Sequence, residues 1–218
     1  MNGLVIFDLD NTIIAGDSDK NWGMFLAEEN IVDKHYLLQS EEFYKKYSTG
    51  DLDIYSFIKF CSQPLIKNSM DKLLDLRKKF IETKIKPIIL DKPKQIITNH
   101  IKNDEKVIIA TATNNFVTRP IADLFQIDDL ISTELEIKNN KFTGNVIDIP
   151  CFKEGKLEKV KKWANKNDFK LSDATFYSDS FNDLPLFNEV KNAVVVDGDS
   201  KILSIANKNA WQCMSFRE

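Results

Sequence analysis

Four short apolar runs, three of them closed abruptly by polar residues suited to chemistry, constrain this chain more than any other feature. Leu4-Val5-Ile6-Phe7 stops at Asp8-Leu9-Asp10-Asn11-Thr12, and Val107-Ile108-Ile109-Ala110 stops at Thr111-Ala112-Thr113-Asn114. Ala174-Thr175-Phe176-Tyr177-Ser178 stops at Asp179, and Ala193-Val194-Val195-Val196 gives way to Asp197-Gly198. Runs that are apolar without alternation describe strands covered on both faces, the condition of a parallel sheet. Helical spacing separates them: Gln95 to Ile101 precedes the second run, and Leu157, Val160 and Trp163 mark a helix over Lys156 to Ala164 before the third. Strands alternating with helices build an open α/β sheet. Ligands sit beyond the carboxyl ends of such strands, so three of the four run ends are expected to share one crevice.

The reading is therefore α/β: a Rossmann-like doubly wound parallel sheet. The alternation fails between residues 15 and 90, where clusters such as Trp22-Phe25-Leu26, Phe43-Tyr44-Tyr47, Phe57-Ile58-Phe60 and Leu73-Leu76-Phe80 carry helical spacing. Three or four amphipathic helices inserted over the crevice are expected there, with residues 1–14 and 91–218 forming the core domain. A short hairpin is expected over Glu134–Asp148, where Asn139-Asn140-Lys141 supplies the turn. A net charge of −3 on 218 residues, with acids and lysines interleaved, excludes the broad basic field of a nucleic-acid binder. No apolar run approaches the ~18 residues of a membrane span, and the N-terminal run reads as a buried strand rather than a leader. Three scattered cysteines offer neither a zinc spacing nor a disulfide framework, which points to a reducing cytoplasm.

Two carboxylates as close as Asp8 and Asp10 repel unless a cation lies between them. Mg²⁺ suits all-oxygen ligands and retains positions for substrate phosphate, and a screened Asp8 could then attack phosphorus. Ser178-Asp179-Ser180-Phe181-Asn182-Asp183 supplies a second acidic group, with Asp179 able to complete the metal site. Thr111 offers a hydroxyl to a phosphate oxygen, and a lysine near Gly155 could neutralise developing charge.

Taken in order, these residues resemble the haloacid dehalogenase superfamily of phosphohydrolases, across all four of its motifs. Asp8-Leu9-Asp10-Asn11-Thr12 matches DxDxT, Thr111 the second motif, Lys156 or Lys153 the third, and Asp179 with Asp183 the fourth. The resemblance implies that Asp8 is the nucleophile, that Asp10 is the acid and then the base, and that Asp8, the Asp10 carbonyl and Asp179 hold Mg²⁺. The insertion occupies the family's C1 cap position. The strings DLDNTIIAGDSDKNWGMFL, ATATNNFVTRPIA and FKEGKLEKVKKW look like the subfamily that includes phosphoserine phosphatase and bacterial relatives labelled phosphoserine or histidinol-phosphate phosphatases. Spacing back from Leu157 favours Lys153 as the third-motif lysine; the Gly-x-Gly-Lys pattern of closer relatives favours Lys156, which is preferred.

Carried onto this chain, the resemblance sets Asp17 where an acid grips a substrate ammonium and Lys59 roughly where an arginine binds a carboxylate. Thr12, Ala112, Thr113, Asn114 and Asn182 complete the residues expected to touch substrate. The family's Ser-Gly-Gly is Thr111-Ala112-Thr113 here, a departure that bears on phosphoserine itself. Structural readings compete at several positions: Asp17 as a helix N-cap, Lys59 as a solvated lysine, Arg119 as a surface residue, Trp22 as core. The implied activity is Mg²⁺-dependent hydrolysis of a small phosphorylated metabolite by a monomer or homodimer. Phosphotransfer within the family and a phospho-aspartate receiver are the alternatives, although a receiver needs no long helical insertion. The presence of Asp10 argues against dehalogenation.

Overall fold

The computed structural model describes residues 3–217. Among them, six strands form one parallel sheet in the order β3-β2-β1-β6-β7-β8, comprising β1 (Leu4–Phe7), β2 (Lys106–Asn114), β3 (Leu130–Thr133), β6 (Thr175–Ser178), β7 (Asn192–Val196) and β8 (Gln212–Met214). β1 is central, pairing Leu4 with Lys106 of β2 on one side and Val5 with Thr175 of β6 on the other. The chain thus leaves β1 in opposite directions across the sheet, which opens a crevice at the carboxyl ends of β1, β2 and β6.

Alternation along the strands divides the core. Val5, Phe7, Val107, Ile109, Val194 and Val196 face one cluster, whereas Leu4, Ile6, Ile108, Ala110, Phe176 and Val195 face the other. Both faces are therefore dry, and this is why the strands read as continuous apolar runs. The second face is covered by α7 (Glu154–Lys166), α8 (Leu184–Phe187) and α9 (Ser200–Lys208), through Val160, Ala164, Phe187 and Ile202. The first is covered by α5 (Asp91–Lys102) and α6 (Asn115–Leu124) together with the inserted helices.

Those inserted helices are α1 (Ser18–Glu28), α2 (Lys34–Thr49), α3 (Ile54–Lys67) and α4 (Met70–Phe80), followed by a π-helical turn over Ile81–Ile85. Asp17, Asp33, Asp53 and Ser69 each cap the helix that follows, their side chains accepting backbone N–H bonds. Trp22 packs on Phe25, Phe80 and Phe116, so α1 and α4 share one cluster with the sheet. Arg77 adds a bond to the Phe116 carbonyl at 2.9 Å. The hairpin forms from β4 (Leu135–Lys138) and β5 (Lys141–Val146), antiparallel and packed on α3, where Gly144 meets Ile66.

Two expectations need correction. The edge strands β3 and β8 were not foreseen, because Leu130–Thr133 and Gln212–Met214 mix polar with apolar residues and carry no unbroken apolar run. Thr111 does not close β2: the strand continues to Asn114, with its register against β3 shifting between Ala110 and Asn114. That irregularity disguises the strand's last turn as a polar loop.

Candidate active site

A cavity with about 50 Å³ of enclosed space lies between the strand ends and α1–α3. On its floor, the Asp8 N–H donates to the Tyr177 carbonyl at 2.8 Å, holding the residue after β1 in line with β6. The chain then turns at Asn11, whose φ of +57° is a conformation asparagine tolerates better than most residues. Asp10 is clasped from two sides. Its Oδ1 accepts the N–H of Ser18 at the start of α1 at 2.6 Å, and its Oδ2 accepts the Thr113 hydroxyl at 2.8 Å with Thr111 Oγ1 at 3.4 Å. The inserted α1 and the strand β2 therefore meet on one carboxylate.

Lys156, only 3% exposed, places Nζ 3.0 Å from Asp8 Oδ1 and 2.7 Å from Asp183 Oδ1. Asp183 also accepts the Ser178 hydroxyl at 2.7 Å. Lys156 can reach this position because Gly155 packs tightly under the first turn of α7: a Cβ there would stand 2.2 Å from the Pro150 carbonyl oxygen. Lys153, at φ +51°, points elsewhere and donates to the Gly50 carbonyl at 2.7 Å. Of the two lysines, it is Lys156 that lies between the acids.

Burial sets the acid–base character. It raises Asp8 to about 7 against the pull of Lys156, with Asp183 and Asp10 pushing the same way. Burial, then the charge of Asp17, raises Asp10 to about 6, and the bonds from Ser18 and Thr113 restrain it. Asp179 is held well above the ordinary range by burial and by Asp8 and Asp183. Lys156 loses by burial but gains more from Asp183 and Asp8, so it stays charged.

The donor set fits a hard dication. Thr12 ties Asp8 to Asp179: its hydroxyl lies 3.4 Å from Asp8 Oδ2 and 3.2 Å from Asp179 Oδ1, and accepts the Asp179 N–H at 3.1 Å. Among the described residues no three His, Cys, Asp or Glu side chains form a ready cage. Mg²⁺ does not need one, being held by one or two carboxylates with waters and substrate phosphate.

The expected residues divide. Asp8, Asp10, Asp17, Thr111, Ala112, Thr113, Asn114, Lys156 and Asp183 line the cavity. Asp17 both caps α1, accepting the Lys20 N–H at 2.8 Å, and faces the cavity, where Tyr44 donates to it at 3.1 Å. Three residues expected to touch substrate are not brought to the wall. Thr12 is fully buried and its hydroxyl is spent between carboxylates. Asn182 turns to α2, donating to the Tyr47 carbonyl at 3.3 Å. Lys59 is exposed, because α3 turns Ile54, Phe57, Ile58, Cys61 and Ser62 toward the cavity and its helical period carries Lys59 outward. Arg119 braces a loop, bonding the carbonyls of Ile127 and Asp128. Trp22 is core.

Sequence reasoning missed Asp19, Tyr44, Phe57, Cys61 and Ser62 on the wall. The signal was the i, i+3, i+4, i+7 recurrence on α3, which marks a buried face but does not say whether that face meets core or cavity.

Residues 5–188 match the pattern of the haloacid dehalogenase-like hydrolase family. The chain is 35% identical over 222 residues to a protein named histidinol-phosphatase from Neisseria meningitidis serogroup C (strain 8013), covering 100% of both chains. A crystal structure of a protein of unknown function from Bordetella pertussis Tohama I superposes with a TM-score of 0.92 at 29% identity, covering 99% of each chain. A substrate-bound phosphoserine phosphatase complex shares the fold at a TM-score of 0.72 and 17% identity, over 98% of this chain and 93% of that one. With the strand-end acids, the buried lysine and the matched span in agreement, this chain belongs to the haloacid dehalogenase-like hydrolases.

Proposed function

We infer that the chain is a Mg²⁺-dependent phosphatase whose substrate is a small amine-bearing phosphomonoester without a free carboxylate, of the histidinol-phosphate kind. The observation that carries the reading is the convergence of four distant segments: Lys156 between Asp8 and Asp183, with Asp10 clasped by Thr113 across the cavity. In this reading Asp8 attacks phosphorus, and the bond to the alcohol oxygen breaks as Asp10 delivers a proton to it. Asp10 then takes a proton from the water that cleaves the aspartyl-phosphate, releasing inorganic phosphate. A carboxyl near 6 can serve in both directions at neutral pH. Lys156 and the Thr111 hydroxyl stabilise the phosphoryl oxygens. Mg²⁺, held by Asp8, Asp179 and the Asp10 carbonyl, would screen nucleophile from phosphate and lower the Asp8 pKa.

The substrate class follows from charge. Among the described residues Lys156 is the only lysine or arginine on the cavity wall, and it is engaged by two acids. A substrate carboxylate would find no cation, whereas an ammonium meets Asp17. The Neisseria relative's name supports the same class.

The test is phosphate release from histidinol phosphate, phosphoserine and an aryl phosphate with Mg²⁺. Turnover is expected to favour histidinol phosphate over phosphoserine, to vanish with chelator, and to fall by ~10⁴-fold or more in folded Asp8→Asn. Hydrolysis that survives Asp8→Asn overturns the mechanism; a preference for phosphoserine overturns the substrate class.

A further inference from the structure

Besides Asp17, the cavity wall carries a second set of polar groups that the proposed reaction does not use. Asp19 reaches the wall from the first turn of α1, and the described residues place no lysine or arginine in ion-pair range of it. Its Oδ2 accepts the Cys61 thiol at 3.2 Å, a weak donor. Next to Cys61 on α3, Ser62 is 1% exposed, and its hydroxyl has no hydrogen-bond partner among the described residues although it lines the same cavity. A buried hydroxyl without a partner loses its bonds to water and gains none in return, so natural folds seldom keep one idle. Tyr44 and Phe57, in edge-on contact at 5.8 Å, form the aromatic side of this compartment.

We propose that Asp19 and Ser62 form a second nitrogen-binding subsite, separate from Asp17, that selects phosphomonoesters whose alcohol carries a further basic nitrogen, in a flat ring that can lie against Tyr44 and Phe57. The proposal rests on the phosphatase reading for the phosphate end of the ligand only. Asp19 accepts one N–H of a cationic ring. The Ser62 hydroxyl, able to donate and accept, completes its polar contacts. Aromatic faces favour a cationic ring over a neutral chain.

The test separates the two readings by measuring binding of the dephosphorylated alcohols, which needs no turnover. L-histidinol and ethanolamine are titrated calorimetrically into the wild-type protein, Asp19→Asn and Ser62→Ala in the presence of Mg²⁺ and inorganic phosphate, with circular dichroism to establish that each variant is folded. Histidinol affinity is expected to fall about tenfold or more in Asp19→Asn and several-fold in Ser62→Ala, while ethanolamine affinity changes less than about threefold. Ser62→Ala is also expected to raise the melting temperature of the free protein, because it removes an unpaired buried hydroxyl. Equal losses for the two amines, or unchanged histidinol affinity in both variants, overturn the subsite. If the wild-type protein releases no phosphate from histidinol phosphate while the variants lose histidinol affinity as expected, the phosphatase reading falls and the subsite stands.

Discussion

Asp19 titrates near 6 because burial withholds water from its charged form, against an ordinary value of 3.8. The folded protein therefore holds that proton more tightly than the unfolded chain. Between pH 4 and 6 this acid makes stability fall as pH rises, and above 6 the cost is present in full. Asp19→Asn should thus match wild type near pH 4 and exceed it at pH 8 by on the order of 3 kcal/mol, each pKa unit being worth about 1.4 kcal/mol. Urea denaturation in chelator at both values checks this; an offset independent of pH would show that ionisation is not the cause. At the same scale, Asp8, Asp10, Asp179 and Asp183 were legible because each follows or lies near the end of an apolar run. The preference for Lys156 over Lys153 came from the resemblance, and the geometry behind it was not legible. It depends on the close approach of Gly155 to Pro150, a distance that only the folded turn defines.

Among the elements, α2 stands apart. It has 16 residues and one buried side chain, Tyr36, and its aromatic residues pack on α3 through Phe43 with Phe57 and Tyr36 with Phe60. Its C-terminal turn is fastened to the strand-end loops. Lys153 and Lys201 donate to the carbonyls of Gly50 and Ser48, at 2.7 and 3.0 Å. Tyr47 meets Ser180 at 3.2 Å. Cations at the end of a helix satisfy its orphan carbonyls and favour its dipole. A Lys153→Met, Lys201→Met double variant should raise protease sensitivity within residues 46–53 and raise KM for histidinol phosphate about two- to fivefold, from the ~1 kcal/mol that such exposed contacts supply. Unchanged cleavage at that turn would show the fastening to be idle. The inserted helices were readable from their spacing; the face each gives to the cavity was not, since core and cavity linings share one periodicity.

At the level of the whole molecule, the inserted helices and the sheet share one hydrophobic cluster. Trp22, Phe25, Leu73 and Phe80 sit in it beside Val5, Ile109 and Phe116. Phe80 is fully buried at their junction, so Phe80→Ala should cost about 3–5 kcal/mol. The loss should appear as a lower midpoint of one cooperative transition, monitored by tryptophan fluorescence and circular dichroism together. Two separated transitions would mean that the insertion folds as an independent unit. Sheet class followed from apolar runs covered on both faces; strand order and the edge strands did not, because pairing is decided by neighbours distant in the chain.

The seam between α2 and the strand-end loops consists of lysine, hydroxyl and amide bonds to backbone and side-chain oxygens, with one ring contact of Tyr47 on Phe152 at 5.9 Å. Water can replace nearly every bond in such a seam while wetting little oily surface beyond that ring contact. Parting it therefore changes heat capacity little, and the enthalpy of opening would stay nearly the same from cold to warm.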